Sequence, residues 1–214
     1  MAIARLHLIT PTTIDDAARA ATDAALAAGV RWLQVRQKAG SDRRRLAVVA
    51  ELVHRSHGTG GTCVVNDRAD LAFAAGADGV HLGLDDLPVA DARRLLGPDA
   101  VIGATCRDAD DARRAQDAGA SYLGVGPAYR SRTKTTGLPD PVGPAGIAAV
   151  AAAVRLPVIA ISGITLDRVP ELLDAGAHGV AVVAAVYGAE RPGDAAAALL
   201  EAVGEATPAA ETSR

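Results

Sequence analysis

Two short apolar runs in this chain each end in acids. Thr62–Val65 stops at Asn66-Asp67, and Val80–Leu82 passes Gly83 to reach Asp85 and Asp86. Between them Leu71, Phe73, Ala74 and Ala75 fit a short helix that Gly76 would end from a left-handed C′ position. Strands joined by a helix run parallel, so Asp67 and Asp86 are expected at the same edge of a sheet. Two carboxylates at neighbouring strand ends suit a hard cation. Mg2+ typically takes one or two protein carboxylates and leaves its other positions to water and phosphate oxygens, which makes Asp67 and Asp86 the candidate metal ligands. Read singly, each acid is also a helix N-cap, a role that equally suits Asp70 and Asp85.

Other strand ends carry the opposite charge. Gln34, Arg36 and Lys38 alternate, so extended backbone sends all three to one side. Two cations and an amide suit an anion with many oxygens: arginine offers a planar fork and lysine a mobile point charge. Taken alone, the triplet also reads as a solvated strand end. Farther along, Arg130-Ser131-Arg132-Thr133-Lys134-Thr135-Thr136-Gly137 interleaves cations with hydroxyls, the composition of a polyanion-binding lid or of an exposed basic loop. Gly163 and the pair Val183-Ala184 end two more apolar runs, where barrels often bind phosphate through backbone N–H groups. Gly163 fits a tight turn as well. His81 falls within a strand and reads as a core histidine.

These groups need a scaffold that gathers strand ends. A phrase of helix end, glycine and apolar strand recurs at 28–35, 75–82, 118–125 and 175–182, about two βα units apart each time. With the strands between them, the series is Leu6–Thr10, Val30–Val35, Thr62–Val65, Val80–Leu82, Val101–Thr105, Tyr122–Val125, Pro157–Ile161 and Val180–Val183. Helices are expected at Asp15–Ala28, from the Ser41-Asp42 cap onward, at 71–75, from Pro88 to Gly97-Pro98, and at Asp108–Ala118. Three more follow at Ala145–Val154, Thr165–Ala175 and Asp194–Ala206, the first of them after a long loop, Gly126–Pro144. The pattern predicts an α/β fold, a single-domain (β/α)8 TIM barrel over residues 1–206 with a frayed tail at 207–214. A doubly wound open sheet is the alternative, disfavoured because the strands are continuous apolar runs of the kind covered on both faces. In a barrel the chemistry collects at the C-terminal strand ends, where all the groups above fall.

Composition narrows the partners. The 214 residues are 50% apolar and 22% charged, with net charge −3 and only one Trp, three Tyr and one Phe. Without a basic stripe or stacking platforms, nucleic acid is not expected as a partner. No apolar run is long enough to span a membrane, and the N-terminus has no long apolar segment of the secretory kind. Cys63 and Cys106 have no metal-ligand spacing and read as buried thiols in a reducing cytoplasm. Small-molecule partners remain, with a homo-oligomer left open.

The ordered set of residues resembles thiamine-phosphate synthase. The likeness spans roughly residues 3 to 200. It rests on Gln34-x-Arg36-x-Lys38, Asn66-Asp67-x-x-Asp70-Leu-Ala, Ala77-Asp-Gly-Val-His-Leu-Gly83 followed by Asp86, Gly124-x-Gly-Pro127, Ser131-x-Thr133-Lys134 and Gly163-Ile-Thr165. The resemblance implies an enzyme that joins a pyrimidine methyl diphosphate to a thiazole phosphate and releases pyrophosphate. It further implies that Gln34, Arg36, Lys38, Asn66 and Lys134 hold the pyrimidine diphosphate, with Asp67 and Asp86 on Mg2+. Ser131 and Thr133, with Gly163 and the Val183-Ala184 backbone, would hold the thiazole phosphate, and Arg132 and Thr105 join the substrate-binding set. Arg36, Lys38 and Lys134 are the expected catalytic cations, because charge develops on the departing diphosphate. The sequence departs from the family pattern in five places. Leu84 stands for a glutamine, Thr105 for a serine, Arg107 for a histidine, Ser162 for a glycine and Ala184 for a serine. A tautomerase-like paralogue of the family, which generally lacks the metal carboxylates, and a non-catalytic phosphate-binding barrel are the alternative readings.

Overall fold

Each apolar run becomes a strand in the computed structural model, which describes residues 2–130 and 139–205. The strands are β1 (Leu6–Ile9), β2 (Trp32–Val35), β3 (Thr62–Asn66), β4 (Gly79–Leu82), β5 (Val101–Cys106), β6 (Tyr122–Val125), β7 (Val158–Ile161) and β8 (Gly179–Val182). All pair in parallel in sequence order, and β8 returns to β1 through Leu6–Val180 and Leu8–Val182, so the sheet closes into a barrel. Closure removes the open-sheet alternative.

Around the barrel lie α1 (Asp16–Ala27), α2 (Asp42–Gly58), α3 (Ala69–Ala75), α4 (Val89–Leu96), α5 (Ala109–Asp117), α6 (Gly143–Ala153), α7 (Val169–Asp174), α8 (Ala184–Tyr187) and α9 (Pro192–Ala202). Their starts follow local chemistry. The Asp15 side chain accepts the Ala18 N–H, and Asp108 accepts from Asp110 and Asp111, satisfying donors that a helix start leaves unpaired. Gly76 ends α3 in the left-handed region, as its position predicts. Pro88 caps α4 from just outside instead of entering its first turn. The expected helix from Thr165 begins as a 3-10 turn at Leu166–Arg168 before α7. The four residues of α8 are too few to leave a helical period in the sequence. No helix among the described residues is long and apolar enough to cross a membrane.

Strand alternation separates two environments. Outward residues such as Leu8, Leu33, Val65, Val80, Ile102, Leu123 and Val180 pack under the helices in the main aliphatic core. Inward residues Ile9, Trp32, Val64, Val101, Tyr122, Ile159 and Ala181 form a second core inside the barrel. There the His7 ring stacks on Trp32 at 4.3 Å, Tyr122 meets Trp32 edge-on at 5.4 Å, and His81 lies 5.4 Å from Tyr122. This plug of rings fills the inside of the barrel.

Burial holds both histidines neutral. His81 is pushed down to about 4, and His7 well below its ordinary value, with the nearby His81 adding to the effect. A histidine neutral in the fold takes its proton only on unfolding. The stability it contributes is therefore present above the unfolded value near 6.5 and is lost as pH falls toward the folded value. For His81 the loss reaches about 3 kcal/mol by pH 4. Urea unfolding of wild type and His7→Phe at pH 7 and pH 5 tests this. The variant keeps a flat ring against Trp32 and should lose stability less steeply, by about 1.4 kcal/mol per pH unit below pH 6; equal slopes would contradict it.

Candidate active site

β3 and β4 end side by side, and their two acids meet. Asp67 follows β3 with φ of 67°, a left-handed conformation that Asp tolerates better than most residues. Its N–H donates to the His81 carbonyl at 2.8 Å, tying the end of β3 to β4. Asp86 folds back so that its Oδ2 accepts the Gly83 N–H at 2.6 Å. Burial pushes the Asp86 carboxyl above its ordinary range. The neighbouring Asp67 carboxylate pushes it the same way, against the Gly83 N–H and Lys38. Neither acid caps a helix: the residue before α3 is Arg68 and that before α4 is Pro88, and neither start has a side-chain cap. The capping alternative therefore fails for both acids. Asp70 is occupied by Arg68.

Lys38 reaches across from the end of β2, its Nζ 2.8 Å from Asp67 Oδ2. With the lysine side chain 48% exposed, such a pair is worth about 0–1 kcal/mol to the fold, too little to explain holding it there as a strut. Its consequence is a cation set beside two carboxylates. The Arg36 N–H is fixed by Thr10 Oγ1 at 2.8 Å, while its guanidinium has no carboxylate partner among the described residues. Gln34 is 4% exposed and shares the inward face of β2 with Trp32. Asn66 is the last residue of β3, and Thr105 on β5 hydrogen-bonds His81 Nε2 at 3.1 Å. The structure thus gathers Gln34, Arg36, Lys38, Asn66, Asp67, Asp86 and Thr105 at the C-terminal ends of β2 to β5. Ser131, Arg132, Thr133 and Lys134 lie outside the described residues.

Gly163 follows β7 with φ of 68°, directly after Ser162 at 81°. A Cβ at Gly163 would stand 2.7 Å from the Arg130 carbonyl and 2.8 Å from Tyr129 Cβ, so the close approach it permits is to the chain leaving β6. Arg168 secures this corner. Its guanidinium donates to the Gly163 carbonyl at 2.6 Å and lies 4.3 Å over the Tyr129 ring, whose hydroxyl donates to Glu171. Sequence reasoning missed Tyr129, Arg168 and Glu171, since three residues on separate elements leave no spacing signal. Val183 and Ala184 stand where β8 gives way to α8.

The donor set fits Mg2+. Among the described residues no group of three or more His, Cys, Asp or Glu gathers at one point. Two adjoining carboxylates, partly open to solvent beside a lysine, are what an ion completed by water and phosphate oxygens requires. Gly163→Ala tests the corner that flanks this mouth. Strained φ together with the clash at Arg130 should cost about 1–3 kcal/mol in urea unfolding, and an unchanged midpoint would show that the turn is not held tightly.

Residues 6–186 match the family described as thiamine monophosphate synthase. A thiamine-phosphate synthase from Salinispora arenicola is 48% identical over 204 residues, covering 94% of this chain and 98% of the relative. The thiamine biosynthesis bifunctional protein ThiM/ThiE of Symbiobacterium thermophilum is 50% identical over 181 residues; the match covers 85% of this chain but 38% of that longer protein. A solved structure, thiamine phosphate pyrophosphorylase from Pyrococcus furiosus, superposes with a TM-score of 0.84 at 31% identity, over 94% of this chain and 96% of the other.

Proposed function

Because the chain belongs to the thiamine monophosphate synthase family, we propose that its mouth at β2 to β5 binds a pyrimidine methyl diphosphate and draws off the diphosphate. The chain is a transferase that makes thiamine phosphate from small phosphorylated substrates. In the proposed step the bond from the pyrimidine methylene carbon to the diphosphate oxygen breaks, and its electron pair leaves with that oxygen. The thiazole nitrogen supplies the pair for the new C–N bond. No strong general base is required.

The observation that carries this reading is the contact of Asp67 with both Asp86 and Lys38. Asp67 and Asp86 would hold Mg2+, which when bound supplies positive charge to the leaving diphosphate. Arg36, free of carboxylate partners among the described residues, suits the diphosphate oxygens as a fork. Lys38 sits where it can turn from Asp67 to the same anion. Lys134 is assigned to the departing group on its sequence motif. Gln34 and Asn66, inside the rim, suit the polar edge of the pyrimidine. Gly163 and the Val183-Ala184 backbone are assigned to the thiazole phosphate with Ser131, Arg132 and Thr133. Two buried free thiols, Cys63 and Cys106, accord with a cytoplasmic location.

Purified protein incubated with both phosphorylated substrates should release pyrophosphate with Mg2+ and not without it; no release under either condition would overturn the reading. Asp67→Ala and Asp86→Ala should each abolish the Mg2+-dependent turnover while the circular dichroism spectrum stays that of the wild type. Full activity in both would remove them from the metal site. Lys134→Ala should lower kcat on the order of 10²-fold, about 3 kcal/mol, if it meets the charge that develops as the bond breaks. A rise in KM alone would assign it to ground-state binding instead.

A further inference from the structure

The chain leaving β4 carries two acids in succession, Asp85 and Asp86, in a four-residue turn that begins at Gly83. Asp85 stands exposed at the crest of that turn, whereas Asp86 is half-buried. What draws the second acid in is a pair of reciprocal hydrogen bonds. The Asp86 N–H donates to the Gly83 carbonyl at 3.3 Å, and the Gly83 N–H donates back to Asp86 Oδ2 at 2.6 Å. Main chain and side chain of Asp86 therefore both close on one residue.

Gly83 also supplies the space into which the carboxylate folds. A Cβ built there would stand 2.9 Å from Asp86 Oδ2 and 3.7 Å from Asp86 Cγ, and apart from its chain neighbours it would meet no other described atom within 4 Å. Any side chain at position 83 would thus displace the oxygen that the N–H of position 83 holds. The backbone makes no such demand. Gly76 and Gly163 have positive φ, and Gly83 is not among the glycines that do, so the left-handed freedom of glycine is not what this position uses. Freed from Gly83, an aspartate side chain has several staggered rotamers open to it. A hydrogen bond from N–H to an ionised oxygen is one of the stronger kinds, and a ligand group already held in place loses less freedom when an ion binds.

We propose that Gly83 positions Asp86 for the metal ion: its N–H anchors one carboxylate oxygen, and its missing side chain leaves that oxygen room. Gly83 acts through Asp86 and is a positioning residue. The inference rests on the Mg2+ reading given above, and it explains how one of two adjacent acids is selected.

Gly83→Ala is the direct test, because the clash it introduces falls on a carboxylate that can rotate away and not on the fold. Its circular dichroism spectrum and urea midpoint in the absence of metal should stay close to those of wild type. With Mn2+ standing in for Mg2+ and the free ion followed by electron paramagnetic resonance, Gly83→Ala should bind about 10-fold more weakly than wild type, the scale of one lost hydrogen bond to a charged group. The Mg2+ concentration that half-saturates pyrophosphate release should rise by a similar factor. A second measurement needs no substitution at Gly83. By NMR hydrogen exchange the Gly83 amide should be protected in wild type and lose at least about 10-fold of that protection in Asp86→Ala, where the acceptor is gone. Equal Mn2+ affinity in Gly83→Ala and wild type would overturn the proposal, as would a Gly83 amide that exchanges alike in wild type and Asp86→Ala. A wild-type protein that binds no Mn2+ would overturn the metal reading and this inference with it, an outcome distinct from equal binding by the two proteins.

Discussion

Two carboxylates that repel one another are held in contact at the ends of β3 and β4, and the rest of the site is arranged around that repulsion. The strand register brings Asn66 opposite His81, so the next residues of both strands leave the barrel at one level. Lys38 offsets part of the repulsion from the side. The arrangement is stable enough to fold and still leaves an attraction for any cation that enters, because the like charges raise the proton affinity of Asp86 and the affinity for a metal by the same means.

Such a pair needs a rigid base. The aliphatic shell between strands and helices supplies most of the apolar burial, and the inner core fixes the angle at which the strand ends face one another. Inside the barrel large rings from β1, β2, β4 and β6 are matched by glycines from β5 and β6, so the plug has little freedom to shift. A buried polar contact costs stability wherever a partner is missing and stiffens its surroundings where every partner is present. The loops above can then vary in length while the plug keeps its shape.

The fold was legible in the sequence because each strand is a short apolar run, and eight such runs alternating with helical segments admit few topologies. Tyr122–Val125 is predicted to the residue; β2 begins two residues late, at Trp32, because Val30 still belongs to the turn that closes on α1 through the Ala25 carbonyl. Asp67, Asp86 and Lys38 were legible for the same reason, since alternation and the parallel connection decide where a strand end points. The inner plug was not. His7 and Trp32 occupy inward positions of different strands, and their stacking depends on a register that only the closed barrel defines. The corner of Tyr129, Gly163, Arg168 and Glu171 escaped for a similar reason, being a tertiary contact among single residues.

The left-handed turn at Asp67 has a consequence for the alphabet permitted at that position. Asparagine and glycine accept the backbone angle but bring no negative charge. Glutamate brings the charge, yet its longer side chain lacks the local hydrogen bonding that eases such an angle and moves the oxygens outward by a methylene. Two filters that act independently, one steric and one electrostatic, overlap at a single amino acid. A neighbour such as Asp86, free of the steric filter, has a wider range of evolutionary substitutes than Asp67, although the two stand in one cluster.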